Sequence, residues 1–476
     1  MRALNDPELL DEENSQRQMA LIAVDQNESE KRRGRVIFDV TDFVGYMVKS
    51  HTVSGIQRVI SAVAEQILDP EKILFSVRSK GTFRAIPYRS GQPPIEAIRA
   101  YIDWKRAIRT VRTRHSDLSE RWGAVGSALS GWGVHALRPV TFQETDIFFI
   151  FGAVWNKKSF LRSVSEAKEI HRFQLVVFVH DAIPIFGEEF VSHGAFRNFR
   201  DYLEWIDDWA DAIYCNSNYS KADLVRTKLV SKASDAIIIP LAHEFSAGAD
   251  KTYDESRLHL RLFLREKFDS HHTDTFALCV GTIETRKNQA LLAKAWAELA
   301  RERPMPLLIL AGRLATNGDA LKIILDRDHP PVAILENAND AMLEQLYKKC
   351  EFTVFPSQFE GWGLPVGESL WFGKPCLASN ASSIPEVGGD YAIYFDPNSI
   401  EDIKEKIRGF LDGTITRPIP PRSALRTWQQ VAEELVSHLR QTAFPAPLHV
   451  TGSPQDEHSI SLHEKAAFER AGNAAR

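Results

Sequence analysis

The sequence is poor in cysteine: four among 476 residues, Cys215, Cys279, Cys350 and Cys376, far apart and with no CxxC spacing. That argues against a disulfide framework and against a thiolate zinc site. Each cysteine lies in or beside an apolar segment, which predicts buried thiols. Long apolar runs are missing too. The densest, Leu175 to Val179, has the length of a strand, far short of the ~20 residues a bilayer-spanning helix needs. The stretch from Met1 to Gln16 is acidic and holds no apolar stretch of signal-peptide kind. A cytoplasmic location is therefore expected, with surface attachment to the inner face of the cell membrane left open. Positive charge is not in excess: 58 Lys and Arg stand against 63 Asp and Glu, a net charge of −5, which gives no reason to expect nucleic acid as a partner. A GxGxxG dinucleotide fingerprint is also lacking, which disfavours a dehydrogenase.

What is present is the composition of a globular protein, 44% hydrophobic and 25% charged, with length enough for two or three domains. Short apolar runs alternate with helical periodicity. Val36–Val40, Ile73–Val77, Ile147–Phe151, Leu175–Val179, Ala212–Cys215 and Ala236–Pro240 read as strands of one half. Phe276–Val280, Leu307–Leu310, Val332–Leu335 and Phe352–Phe355 read as strands of another. Such alternation predicts two α/β domains with parallel, doubly wound sheets and a cleft between them. Expected bounds are a disordered arm over 1–33, a first domain over 34–245, a second over 246–415, a final helix over 416–442 and a disordered tail over 443–476. Ser220 is expected to cap a helix over Lys221–Thr227, and Asp340 another. Inside the first domain, 94–132 is rich in arginine with interleaved apolar residues. It reads either as a helix packed on its domain or as a basic amphipathic surface for an anionic membrane.

The richest stretch is Phe359 to Leu370, FEGWGLPVGESL, where Glu360 and Glu368 bracket a glycine turn after the Phe352–Phe355 strand. Pro365 suits a first helical turn, and Gly373 a C-terminal cap. Gly361 and Gly363 let backbone approach a ligand, and helix amides beyond them can hold an anion. Arg286 and Lys287 follow the strand-end Gly281 at an expected helix start. Cations there oppose the helix dipole by about 0.3–1 kcal/mol each, a conflict an anionic diphosphate would resolve. His180 ends a strand at the edge where open α/β sheets bind ligands. Gly55 opens a helix after a strand and either turns the chain or admits a ligand. From the residues alone, Glu360 and Glu368 are either a general acid–base pair or hydroxyl ligands. Asp326-Arg327-Asp328 has the form of a metal-binding pair but sits in an expected surface loop, so no metal is expected.

Together, EGWGLPVGE, FGKPCLAS and IPEVGGD resemble the signature of family 4 glycosyltransferases, and GTIETRKN (281–288) is similar to their diphosphate-binding segment. VHDAIP (179–184), SNYS (217–220) and SGIQRV (54–59) resemble motifs of their first domain. The likeness runs from about Val36 to Leu439, with 94–132 as an insertion. It implies the GT-B fold: two Rossmann-like domains facing across a cleft, with the last helix crossing back. It also implies a retaining, metal-independent transfer from a nucleotide sugar. Arg286 and Lys287 would then neutralise the leaving diphosphate. Amides and surfaces around Gly281, Gly363, Leu364 and Val366 would add to its site. Glu360 and His180 would contact the transferred sugar, Glu368 would hold the ribose, and Gly55 would approach diphosphate and acceptor. Thr282 departs from members that carry arginine there, and Arg286 is expected to supply that charge.

The variant EGWGLPVGE is similar to that of bacterial mannosyltransferases of polysaccharide assembly. The resemblance therefore implies GDP-mannose as donor and a saccharide acceptor, lipid-linked in one version of the expectation. The rival readings are a GT-B epimerase or phosphorylase, and a catalytically silent nucleotide-sugar-binding scaffold.

Overall fold

The computed structural model describes residues 34–50, 55–69, 72–113, 137–186, 190–246, 253–315, 321, 325 and 330–442. The expected arm and tail, the basic segment beyond Thr113 and the Asp326–Asp328 pair lie outside them.

Two sheets organise the chain. The first contains β1 (Val36–Asp39), β2 (Ile73–Ser79), β3 (Thr82–Ile86), β4 (Arg138–Pro139), β5 (Ile147–Ile150), β6 (Gln174–Val179), β7 (Ala212–Cys215) and β8 (Ile237–Ile238), in the order β4-β3-β2-β1-β5-β6-β7-β8. The second contains β9 (Phe276–Val280), β10 (Leu307–Ala311), β11 (Val332–Leu335), β12 (Phe352–Phe355), β13 (Cys376–Ser379) and β14 (Ala392–Phe395), in the order β11-β10-β9-β12-β13-β14. Strand order reverses between β9 and β12, which pair directly. The crevice beyond the carboxyl ends of such a pair is where open sheets take ligands.

The second sheet is parallel throughout; the first is not, against expectation. β3 pairs antiparallel with β2, and β4 with β3. The chain reverses at Lys80-Gly81, both at positive φ (50° and 85°), the paired left-handed conformation of a two-residue hairpin turn.

Helices cover both faces, so the central strands are apolar on both sides. In β5, Ile147 and Phe149 enter one cluster with Phe38, while Phe148 and Ile150 enter the opposite one with Val177. The final helix, Trp428–Thr442, packs against the Gly55–Gln66 helix of the first domain. Its Val431, Leu435 and Leu439 share a core with Val59 and Val63. Trp428 anchors it: the indole N–H donates to the Glu244 carbonyl at 2.8 Å.

Two helix starts differ from expectation by one to three residues. The Asn218–Thr227 helix is capped by Ser217, which accepts the Ser220 N–H, so Ser220 lies inside it. The Asp340–Lys349 helix is capped by Asn339, which accepts the Met342 N–H. The basic segment forms a helix over Pro94–Thr113 that buries Ile95, Ile98, Tyr101 and Ile102 in the domain core. Its apolar face is thus occupied internally, the packed-helix alternative. All four cysteines are buried, and burial pushes the Cys215, Cys279 and Cys350 thiols up to about 12.

Candidate active site

A cleft of about 730 Å³ lies between the two sheets' domains, at the carboxyl ends of β6, β7, β9 and β12. Into it project the loop after β9, carrying Arg286 and Lys287, and the loop after β12, carrying Glu360. Arg286 and Lys287 occupy a single 3-10 turn, Thr285–Lys287, followed by Asn288 at φ 60°. The helix proper starts only at Gln289. The cations therefore stand ahead of the helix rather than in its first turn.

Glu360 meets both cations. Its Oε1 accepts from Lys287 Nζ at 2.5 Å, pairs with Arg286 Nη1 at 3.0 Å and accepts from the Ser357 hydroxyl at 2.6 Å. Burial alone would raise the carboxyl's pKa. The two cations and the hydroxyl overturn that and hold it at about 2. Glu360 is thus ionised in the physiological range, which sets aside a general-acid role for it and makes it at most a weak base. Arg286 is further fixed by the Phe359 carbonyl at 2.5 Å and Glu284 at 2.7 Å. The charge conflict read from the sequence is therefore met first by Glu360 and Glu284. A bound anion would share cations already neutralised.

Gly281, at φ 147°, leaves room for the Lys287 stem, which would contact a Cβ there at 3.7 Å. Gly363 holds φ 104° and precedes the Leu364–Trp371 helix, with Pro365 in its first turn. Glu368 begins that helix's second turn rather than its first. It is buried and already engaged: Tyr347 donates to Oε2 at 2.8 Å, and Arg58 Nη1 stands 3.5 Å from Oε1. Arg58 also pairs with Asp340 at 2.5 Å and lies over the Phe245 ring. Burial raises the Glu368 pKa, with Arg58 opposing it.

His180 faces these groups from the first domain. A carbonyl can only accept, so the 2.7 Å contact of Nε2 with the Phe151 carbonyl puts the ring proton on Nε2 and leaves Nδ1 as an acceptor. Burial lowers the imidazole pKa from 6.5 to about 4. The unfolded chain then binds this proton near 6.5 while the native chain resists it until about 4. Stability should fall as pH drops through that window, by about 3 kcal/mol for this group. In urea titrations at pH 6.5, 5.5 and 4.5, His180→Asn is expected to lose unfolding free energy less steeply than the parent. Equal slopes would refute the buried neutral imidazole.

The domains touch where a Cβ on Gly361 would stand 2.1 Å from the His180 carbonyl oxygen. Ser217 and Ser220 donate to the Gly361 carbonyl at 2.8 and 3.2 Å. Beside them, Glu386 accepts the amides of Asn218 and Tyr219 at 2.8 and 2.7 Å, a carboxylate at a helix N-terminus.

Of the residues singled out from the sequence, Glu360, Glu368, Arg286, Lys287, His180, Gly55, Gly281, Gly363 and Leu364 line the cleft. Among the described residues, a Cβ on Gly55 would meet nothing within 4 Å. Val366 does not reach the cleft. Its side chain is fully buried and its N–H donates to the Gly363 carbonyl at 3.0 Å, so this expectation is corrected. Residues missed by sequence reading include Arg58, Asp340, Asn216 and Arg313, which also line the cleft. Arg58 had a signal: it stands one helical turn after Gly55. Among the described residues no three His, Cys, Asp or Glu side chains cluster at metal-ligand spacing, and no helix is long and apolar enough to cross a membrane.

Two Rossmann-like domains of this kind, closed by a returning helix, define the GT-B class of glycosyltransferase folds. Residues 261–422 match the family described as glycosyl transferases group 1, so the second half of the chain carries a glycosyl transferases group 1 domain. The serotype-specific mannosyltransferase WbdA of Escherichia coli is 28% identical over 270 residues, covering 55% of this chain and 33% of its own. The O-antigen chain mannosyltransferase B of Escherichia coli is 34% identical over 162 residues, covering 33% of this chain and 42% of its own. The chain thus matches 33–42% of the length of these curated relatives. In fold it is similar to sucrose-phosphate synthase of Thermosynechococcus elongatus (TM-score 0.53, 16% identity, 86% of this chain and 99% of that one). It is also similar to Anabaena Alr3699/HepE, solved with UDP and glucose (TM-score 0.51, 16% identity, 86% and 97%).

Proposed function

We propose that the protein is a retaining mannosyltransferase that moves mannose from GDP-mannose to a saccharide acceptor in the assembly of a surface polysaccharide, without a metal ion. The observation that carries this reading is the Arg286–Lys287–Glu360 cluster at the β9/β12 switch point, opposite His180. The mannosyltransferase relatives supply the sugar.

In this reading the sugar–phosphate bond breaks as the acceptor oxygen bonds to the same carbon from the same face. The acceptor's proton passes to an oxygen of the leaving diphosphate. Arg286 and Lys287 then stabilise charge that grows on that diphosphate, as preorganised cations do most strongly where water is excluded. Glu360, ionised, accepts hydrogen bonds from sugar hydroxyls and fixes the sugar's orientation. His180 Nδ1 offers a further acceptor. Glu368, whose 3.5 Å contact is the longer of the two ion pairs of Arg58, holds the ribose hydroxyls.

The acceptor is taken to be lipid-linked and the protein to work at the inner face of the cell membrane. Its contact there would be electrostatic, because the apolar face of the Pro94–Thr113 helix is internal.

A panel of nucleotide sugars, each with and without oligosaccharide acceptors and with and without EDTA, tests the reading. GDP-mannose is expected to give acceptor-dependent release of GDP, insensitive to EDTA, with the product linkage keeping the donor's configuration. Turnover without acceptor would favour an epimerase. Binding without turnover across acceptors would favour a silent scaffold.

A further inference from the structure

Arg58 belongs to the first domain, on the Gly55–Gln66 helix, yet the carboxylates that hold it belong to the second. Its Nη2 pairs with Asp340 Oδ1 at 2.5 Å, and its Nη1 stands 3.5 Å from Glu368 Oε1. Its guanidinium carbon lies 5.2 Å from the centre of the Phe245 ring, which meets Tyr347 edge-on at 5.9 Å. The side chains of Arg58 and Glu368 are 12% and 6% exposed, so water screens the pair little. On its other oxygen Glu368 accepts from the Tyr347 hydroxyl at 2.8 Å. Behind Asp340 stands a further carboxylate, Glu65, held by Arg99 at 2.7 Å. Among the described residues Arg58 is thus the cation paired with Glu368. The domain that carries Glu368 sets a second carboxylate, Asp340, near it instead of a counter-charge. Burial pushes the Glu368 carboxyl up, Arg58 and the Tyr347 hydroxyl oppose that, and Asp340 adds to the rise. A carboxylate so placed keeps its charge only while a cation faces it. At 3.5 Å the Arg58 contact is at the outer limit of a hydrogen bond, and Oε1 has two lone pairs, so it can accept from a further group. Both residues line the cleft.

We infer that Arg58 is a positioning residue for the nucleoside: anchored on Asp340, it holds Glu368 in place as an ionised acceptor for ribose hydroxyls, so that the first domain completes the ribose site of the second. The inference rests on the transferase reading above, in which Glu368 takes the ribose. Arg58 acts through that carboxylate. A hydrogen bond to an ionised acceptor is roughly twice as strong as one between neutral groups, so the charge Arg58 preserves is what makes the ribose hydroxyls count. Nucleotide recognition then depends on both domains, although the diphosphate and ribose groups named so far all stand on the second.

Calorimetric titration of the full-length protein with GDP and with 2′,3′-dideoxy-GDP, at pH 6.5, 7.5 and 8.5, tests this. The ratio of the two affinities reads the ribose hydroxyls alone, because the titration of the diphosphate itself cancels. The parent is expected to prefer GDP about tenfold at all three pH values. Arg58→Gln should lose most of that preference at pH 6.5 and regain part of it at pH 8.5. The sign follows from the carboxyl: without the cation it binds a proton more readily, and its ionised form is the strong acceptor, so preference rises with pH. Arg58→Lys keeps the charge and should keep most of the preference. Arg58→Gln combined with Asp340→Asn removes one charge of each sign, which spares the fold two unpaired carboxylates, and should show the same loss at pH 6.5. If Arg58→Gln and the double variant keep the parent's ratio at every pH, Arg58 merely straps the domains together and the inference fails. It also fails if both ligands weaken by one factor as the melting temperature falls. A parent that binds GDP and its dideoxy form alike would instead overturn the assignment of ribose to Glu368, and the inference with it. UDP and its dideoxy form are titrated alongside. The same pattern with UDP in place of GDP would change the donor base and leave the role of Arg58 standing.

Discussion

Glu360→Gln is expected to bind GDP more tightly than the parent while transferring sugar at least a hundredfold more slowly. The two effects have opposite signs because one carboxylate holds two positions. Glu360 Oε1 is the counterion of both Arg286 and Lys287. Removing its charge leaves two cations facing the cleft, which favours a dianionic ligand in the ground state. In the proposed reading the same change removes the acceptor that orients the sugar, and loss of one preorganised polar group of this kind costs roughly 10²–10³ in turnover. Stability should fall as well. The native pKa near 2 against 4.5 unfolded means that the parent's carboxylate contributes about 3 kcal/mol above pH 4.5, lost as pH falls towards 2. The variant lacks that dependence. Lys287→Ala is the control, with GDP affinity and turnover both reduced. Calorimetry with GDP and single-turnover rates at saturating donor measure the two quantities. A GDP affinity that falls together with turnover in Glu360→Gln would show that the carboxylate positions the cations rather than the sugar.

That single carboxylate also marks where sequence reading succeeded and where it stopped. The strand before it, the glycine turn and the helix after it are local patterns, and Phe352–Phe355 and Leu364–Trp371 form where apolar run, Gly363 and Pro365 place them. The proposal of an anion to relieve Arg286 and Lys287 took them to open a helix, whereas they stand in the turn ahead of it. Nor could it see that Glu360, 73 residues on, pairs with them within the protein. Arg58 and Glu368 are 310 residues apart, and no spacing rule links a helix of one domain to a helix of the other. The missed hairpin is different in kind: Lys80-Gly81 carries the turn, but lysine is not among the residues that announce a left-handed pair, so β3 stayed hidden. At Val366 the error was one of direction. A short helix opening at Gly363 turns that amide back onto its own first turn. Asn339 and Asp340 are both good caps, and only the observed hydrogen bond to Met342 decides between them.

Gly361→Ala should leave both sheets folded and lower transfer by about a hundredfold with GDP affinity nearly unchanged. The added methyl would meet the His180 carbonyl oxygen at 2.1 Å and the Asp181 Cβ at 3.0 Å. The first is backbone, so no rotamer change relieves it, and the two domains must separate by more than an ångström at this point. Each sheet's own core lies elsewhere, around Val177 and Leu203 in one domain and Leu308 and Val354 in the other, so the strain falls on the junction. There it opposes the Ser217 and Ser220 bonds to Gly361 and the Glu386 bonds to Asn218 and Tyr219. In the proposed reading GDP is held mainly by the second domain, through Arg286, Lys287 and Glu368, and is expected to lose little. The sugar, which the proposed reading puts between His180 of one domain and Glu360 of the other, would be displaced by about the distance that costs two orders of magnitude in an oriented reaction. Gly55→Ala separates the steric cause from a general intolerance of substitution in the cleft, because a Cβ there meets none of the described residues within 4 Å and should not part the domains. Solution scattering with GDP bound should give Gly361→Ala a larger radius of gyration than the parent and Gly55→Ala the same one. A compact Gly361→Ala with normal turnover would mean that the junction yields by sliding, and that the closeness of Gly361 to His180 has no part in catalysis.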